Sequence, residues 1–192
     1  MYNHHYMFDQ VLYAVKLDTH LFHQQEGIQT ENNNNFLSMN KNNKLTLSTA
    51  ESCTGGLLGN RITNLSGSSI YYLGGIVAYS NELKINMLNI DKEIIEIKGA
   101  VSSETAESMA DNIKEITGSD YGIGITGIAG PTGGTKAKPV GLVYIGVSGK
   151  NETKVKEYQL KGKRKQIKYL SSEFALKDLK YLLYREGYHE KE

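Results

Sequence analysis

Leu47-Ser48-Thr49-Ala50-Glu51-Ser52-Cys53-Thr54-Gly55-Gly56, running on into residues 57–65, decides how the rest of the chain is arranged. The stretch predicts a β-strand that passes straight into a helix through a tight turn of small residues. Gly55 and Gly56 let the backbone come close to a ligand, and the first N–H groups of a helix have no partner inside it. Ser52, Cys53 and Thr54 add two hydroxyls and a thiol at the same turn. Such a helix start suits an anion, or the oxyanion of an acyl-transfer step. The plainer expectation is that Ser52 or Thr54 caps the helix.

The 192-residue chain is long enough for one domain with a substantial core. Its net charge of +1 gives no reason to expect nucleic acid or an anionic membrane as a partner. Cys53 is the single cysteine, so no intrachain disulfide forms, which fits a reducing cytoplasm. Apolar runs are strand-length and far short of a membrane span. Residues 1–22 lack the apolar core of a secretory signal, because Asp9, Gln10, Lys16 and Asp18 interrupt it.

Two segments are expected, 1–43 and 44–187. Phe8, Val11, Leu12, Val15, Leu21 and Phe22 have a partial helical period, so a short amphipathic helix is predicted over 8–22. Residues 24–43 are polar and Asn-rich and predict a flexible loop. His20 and His23 fit one helical face without a Cys or carboxylate at ligand spacing, which does not make a metal site. In the second segment, Leu58, Ile62 and Leu65 face one way along a helix ended by Gly67. Residues 71–80 predict a strand in which Gly74 and Gly75 mark a bulge or close approach. Residues 81–88 form a short helix. A longer one follows, with Ala106, Met109, Ala110, Ile113 and Ile116 on one stripe, a Ser cap and Gly118 at its end. Strands are expected at 121–125, 140–147 and 154–160, and a long closing helix at 163–186. Helices and strands alternate before two strands run in succession, which predicts a single three-layer α/β domain with a mixed sheet flanked by helices.

Three junctions distant in sequence share one character: Ser52-Cys53-Thr54, the stretch from Tyr79 through Asn81 to Lys84, and Thr126 with its glycine loop. In α/β folds such strand ends gather on one edge, where ligands bind. A serine beside a lysine makes a nucleophile and base once the lysine pKa is lowered, and a tyrosine can relay the proton. Residues 126–134 hold four glycines in nine residues, a candidate nest for a phosphate or carboxylate, with Gly127, Gly130 and Gly133 as contacts. The loop lacks the Gly-Lys-Ser/Thr of a P-loop and the helix and acid of a dinucleotide fingerprint. Cys53 has no His–Asp company, so a thiol nucleophile is the weaker candidate.

Thr49-Ala50-Glu51-Ser52-Cys53-Thr54-Gly55-Gly56, Tyr79-Ser80-Asn81-Glu82-Leu83-Lys84, Gly99-Ala100-Val101-Ser102, and Thr126-Gly127-Ile128-Ala129-Gly130-Pro131 with Lys138-Pro139-Val140-Gly141 resemble the CinA C-terminal domain family. The four motifs occur in order over about residues 44–186 and leave 1–43 outside. Characterised members of that family are nicotinamide mononucleotide (NMN) deamidases. Many carry an N-terminal domain that 43 residues are too few to hold, so the resemblance implies a stand-alone deamidase, cytoplasmic and homodimeric, with a small-molecule substrate. It implies Ser52 as nucleophile, Tyr79 and Lys84 as its partners, and Thr126 as a further catalytic residue. Cys53, Thr54, Gly55, Gly56, Asn81 and the glycine loop would contact substrate. Arg164 would hold the 5′-phosphate, although Lys163 stands where the family has an acid. The scheme uses no metal or cofactor. Its expected course is attack of Ser52 on the amide carbon, with the N–H groups of residues 53–56 holding the oxyanion. Direct attack by a positioned water is the alternative route. A non-catalytic nucleotide- or partner-binding module, or an amidase for another pyridine amide, is the alternative function.

Overall fold

A computed structural model describes residues 45–188. The helix expected over 8–22 and the Asn-rich loop up to 43 lie outside the described residues. The five strands are β1 (Leu47–Glu51), β2 (Tyr72–Val77), β3 (Tyr121–Gly127), β4 (Leu142–Ser148) and β5 (Thr153–Gln159). The helices are α1 (Leu57–Thr63), α2 (Asn81–Leu88), α3 (Lys92–Ile97), α4 (Ser103–Thr117) and α5 (Arg164–Arg185). The strands form one sheet in the order β2-β1-β3-β4-β5. β2, β1 and β3 run parallel, β4 pairs antiparallel with β3, and β5 pairs antiparallel with β4. This is the mixed α/β sheet that the element order predicts.

Side-chain parity along β1 sorts the layers. Leu47 belongs to the larger core, shared with Leu58 and Ile62 of α1 and Ile167, Leu176 and Leu179 of α5. Ala50, of opposite parity, belongs to a smaller core with Leu88, Ile95, Met109 and Ile113 from α2, α3 and α4. Odd and even residues of a strand point to opposite faces. Helices therefore cover both faces, with α1 and α5 on one and α2, α3 and α4 on the other.

The second layer is thin because glycine admits α4 close to the sheet. A Cβ at Gly124 would lie 2.5 Å from the Ala106 carbonyl oxygen, and one at Gly122 would lie 2.1 Å from that of Ala110. Gly146 on β4 meets Ala106 in the same way, at 2.5 Å. The expected bulge is present in β2, where the register shifts so that Leu47 pairs with Tyr72 and Ser48 with Gly74.

Several local expectations are corrected. α1 stops at Thr63, and Gly67 opens a separate 3-10 turn, Ser68–Ile70, instead of ending the helix. The strand expected over 71–80 is only Tyr72–Val77, which leaves Ala78 and Tyr79 free to turn over the sheet edge. Ile116 is 45% exposed and lies off the buried stripe of α4. α3 is too short for periodicity to announce, and it starts where the Asp91 side chain accepts from the Glu93 N–H. Among the described residues no helix is long and apolar enough to cross a membrane.

Candidate active site

The C-terminal ends of the parallel strands bring the candidate site residues together. Ser52 follows the last residue of β1, and its N–H donates to the Ile125 carbonyl of β3, which fixes the turn to the sheet edge. By parity Ser52 shares the face of Ala50, where α2 packs. α2 is started by Ser80, whose hydroxyl accepts from the Leu83 N–H. This cap places Lys84 one turn into the helix and directed back at β1. Lys84 is 1% exposed, and its Nζ donates to Ser52 Oγ at 3.0 Å and to the Ala78 carbonyl at 2.9 Å. Burial holds its ammonium below the ordinary lysine pKa.

A cavity of about 320 Å³ opens over this pair. Of the residues singled out from sequence, Ser52, Cys53, Tyr79, Asn81, Lys84 and Thr126 line it, as do Gly127, Gly130, Gly133 and Arg164 from the glycine loop and α5. Thr126 is buried at the end of β3 and donates to the Ala100 carbonyl at 2.6 Å. Tyr79 stands at the mouth, 60% exposed, and its hydroxyl accepts from Arg164 Nη2 at 2.9 Å. Arg164 Nη1 donates to the Gly130 carbonyl at 2.8 Å. The arginine thus ties the first turn of α5 to the glycine loop and to the tyrosine. Cys53 is buried against the larger core, and desolvation pushes its thiol up to about 12, so it is a protonated packing group at neutral pH.

Thr54, Gly55 and Gly56 do not line the cavity. Thr54 is fully buried, and Gly55 and Gly56 adopt positive φ of 61° and 88° to swing the chain into α1. Neither Ser52 nor Thr54 caps that helix. Its cap position is Gly56, without a side-chain acceptor of its own. The acceptor is Glu51, 2% exposed, whose Oε2 takes the Leu58 N–H at 3.1 Å and whose Oε1 takes the Gly59 N–H at 2.8 Å. The start of α1 is therefore filled by a carboxylate of the protein itself. Parity carried a signal for this, since Glu51 alternates with Ala50 and must face α1.

Sequence reasoning also left the lining residues Ala100, Val101 and Thr132 without a part. Among the described residues no group of three or more His, Cys, Asp or Glu side chains is placed to hold a metal ion.

The family model for the CinA C-terminal domain matches residues 29–183. A CinA-like protein of Koribacter versatilis is 54% identical over 131 residues, which is 68% of this chain and 32% of that protein. A CinA-like protein of Kosmotoga olearia is 53% identical over 132 residues, 69% of this chain and 32% of that protein. The chain thus spans about a third of the length of these curated relatives. The crystal structure of the competence/damage inducible protein CihA from Agrobacterium tumefaciens is similar at a TM-score of 0.73 and 30% identity, covering 95% of this chain and 98% of that one.

Proposed function

The chain belongs to the CinA C-terminal domain family, and on that premise we propose that it hydrolyses the carboxamide of NMN to nicotinic acid mononucleotide and ammonia. The observation that carries this reading is the buried Lys84 Nζ, 3.0 Å from Ser52 Oγ at the floor of the cavity. A lysine lacking hydration yields its proton readily, and the resulting amine can take the proton of a serine hydroxyl within hydrogen-bond reach.

Ser52 Oγ bonds to the amide carbon as its proton passes to Lys84. The tetrahedral intermediate then collapses, the C–N bond breaks, and Lys84 returns the proton to the departing ammonia. Water attacks the acyl-serine by the same relay and restores Ser52. The carbonyl of Ala78 orients the lysine throughout, because it holds one of the Nζ protons. Arg164 and the N–H groups of the glycine loop, which line the same cavity, suit the 5′-phosphate. Tyr79 is bonded to Arg164, so its part lies with the phosphate and the cavity mouth.

Ammonia release from NMN by the purified chain, measured beside Ser52→Ala and with a chelator present, tests the reading. Release by the wild type alone supports it. NMN binding without release would favour a binding module or another amide substrate.

A further inference from the structure

The Lys138-Pro139-Val140-Gly141 motif has no part in the chemistry above, yet Lys138 is tied to the cavity wall. Its Nζ donates to the Lys98 carbonyl at 2.8 Å and to the Val101 carbonyl at 2.6 Å. Between those two, the Gly99 carbonyl accepts from Ser102 Oγ at 2.9 Å and Thr105 Oγ1 at 2.8 Å, and the Ala100 carbonyl accepts from Thr126. Four successive carbonyls are thus engaged by side chains of α4, β3 and the loop beyond it. Gly99, at φ 88°, makes the bend possible. In a planar trans peptide the N–H points opposite to the carbonyl. With the Gly99 carbonyl turned into the first turn of α4, the Ala100 N–H is turned away from it, and Ala100 lines the cavity.

We propose that Lys138 is a positioning residue whose ammonium braces the 98–101 turn so that the Ala100 N–H serves as an oxyanion donor for the attack at Ser52. The proposal rests on the amide-hydrolysis reading. It sets aside three of the donors expected at residues 53–56, because Thr54, Gly55 and Gly56 do not line the cavity and the Gly55 N–H donates to the Ser52 carbonyl. The ammonium suits this part because it is a compact point charge with several donors, so one group can hold two carbonyls at once.

The test pairs Lys138→Met with Lys138→Arg, read by NMN turnover and by hydrogen exchange of the unliganded protein. A misplaced donor costs about 10²-fold when geometry slips by an ångström. In Lys138→Met, kcat should fall by about that factor while KM stays within about threefold, the pattern of an interaction made in the transition state. Exchange should rise over 98–105 and stay unchanged elsewhere, and Lys138→Arg should recover part of kcat. An intact kcat, or a raised KM with kcat unchanged, would overturn the proposal and make Lys138 inert or a substrate contact. If the wild type releases no ammonia, the hydrolysis reading fails and the donor assignment falls with it. The exchange result then decides the brace alone, and unchanged exchange over 98–105 would refute that too.

Discussion

Removing the Glu51 carboxylate tests whether the turn that carries Ser52 is held from behind. Its two oxygens accept from Leu58 and Gly59 at 3.1 and 2.8 Å in a position that is 2% exposed. Hydrogen bonds to a charged group contribute about 1.5–3 kcal/mol each, and a buried donor left unmet costs about 1–3 kcal/mol. The Leu58 residue is fully buried, whereas Gly59 is half-buried and its N–H can gain water. Glu51→Ala is therefore expected to cost about 2–4 kcal/mol, toward the low end of two full bonds. Glu51→Gln keeps one acceptor and sets an amide NH₂ against the other N–H, so about 1–2 kcal/mol is expected. Urea titration measures both, and at a slope of about 1–3 kcal/mol per molar the alanine midpoint should move by about 0.7–4 M. Exchange of the Leu58 and Gly59 amides should rise in parallel. Turnover separates positioning from chemistry: a base at Glu51 would make Gln as inactive as Ala, whereas a cap leaves Gln well above Ala. A loss under about 0.5 kcal/mol in Glu51→Ala, with those amides still protected, would refute the reasoning.

Arg61 and Glu173 form a buried pair at 2.6 Å between α1 and α5, with Ser172 accepting from the same guanidinium. Glu173→Ala should cost about 3–5 kcal/mol in a urea melt, while Arg61→Met with Glu173→Leu should cost far less, because the uncompensated charge is gone. Lys84→Met should abolish turnover yet stabilise the fold. Burial lowers the Lys84 pKa, so the unfolded chain binds more protons between the folded and unfolded values. Wild-type stability from this site is then lowest below the folded pKa and recovers as pH rises through it. The advantage of Met in thermal melts should shrink toward pH 10. Arg164→Ala should raise KM with kcat largely kept, and a cycle with Tyr79→Phe should be non-additive, since the two side chains share one hydrogen bond. Gly124→Ala should destabilise by about 1–3 kcal/mol or more, as its methyl would press on the α4 backbone at 2.5 and 2.6 Å.

Much of the fold was legible because its signals are local. Ser80 and Ser102 start their helices as hydroxyl caps do, and Gly118 ends α4 in the left-handed region. Paired glycines marked the β2 bulge. The Ser52 turn misled for a physical reason. Capping rules look one to three residues ahead, whereas Glu51 reaches seven and eight residues on, from the end of a strand over a two-glycine turn. Likewise the Lys84–Ser52 contact spans 32 residues, and only the parallel pairing of β1 with β2 brings α2 over the turn. The shared character of the strand ends pointed to one edge. It could not say that Tyr79 would meet Arg164, because α5 follows two antiparallel strands whose reach is set by pairing and not by pattern.

If Lys84 serves as the base of the proposed hydrolysis, the two opposite charges beside this turn have to be kept apart. Glu51, the last residue of β1, faces α1, and Ser52, the next residue, faces α2. The carboxylate meets the positive end of a helix, where its charge is stabilised. The lysine on the other face meets only a hydroxyl and a carbonyl, which leave its charge poorly compensated. Had the two side chains shared a face, an ion pair would have held Lys84 protonated and made it a poor base. Pleat parity thus separates the carboxylate that holds the turn from the lysine that meets Ser52.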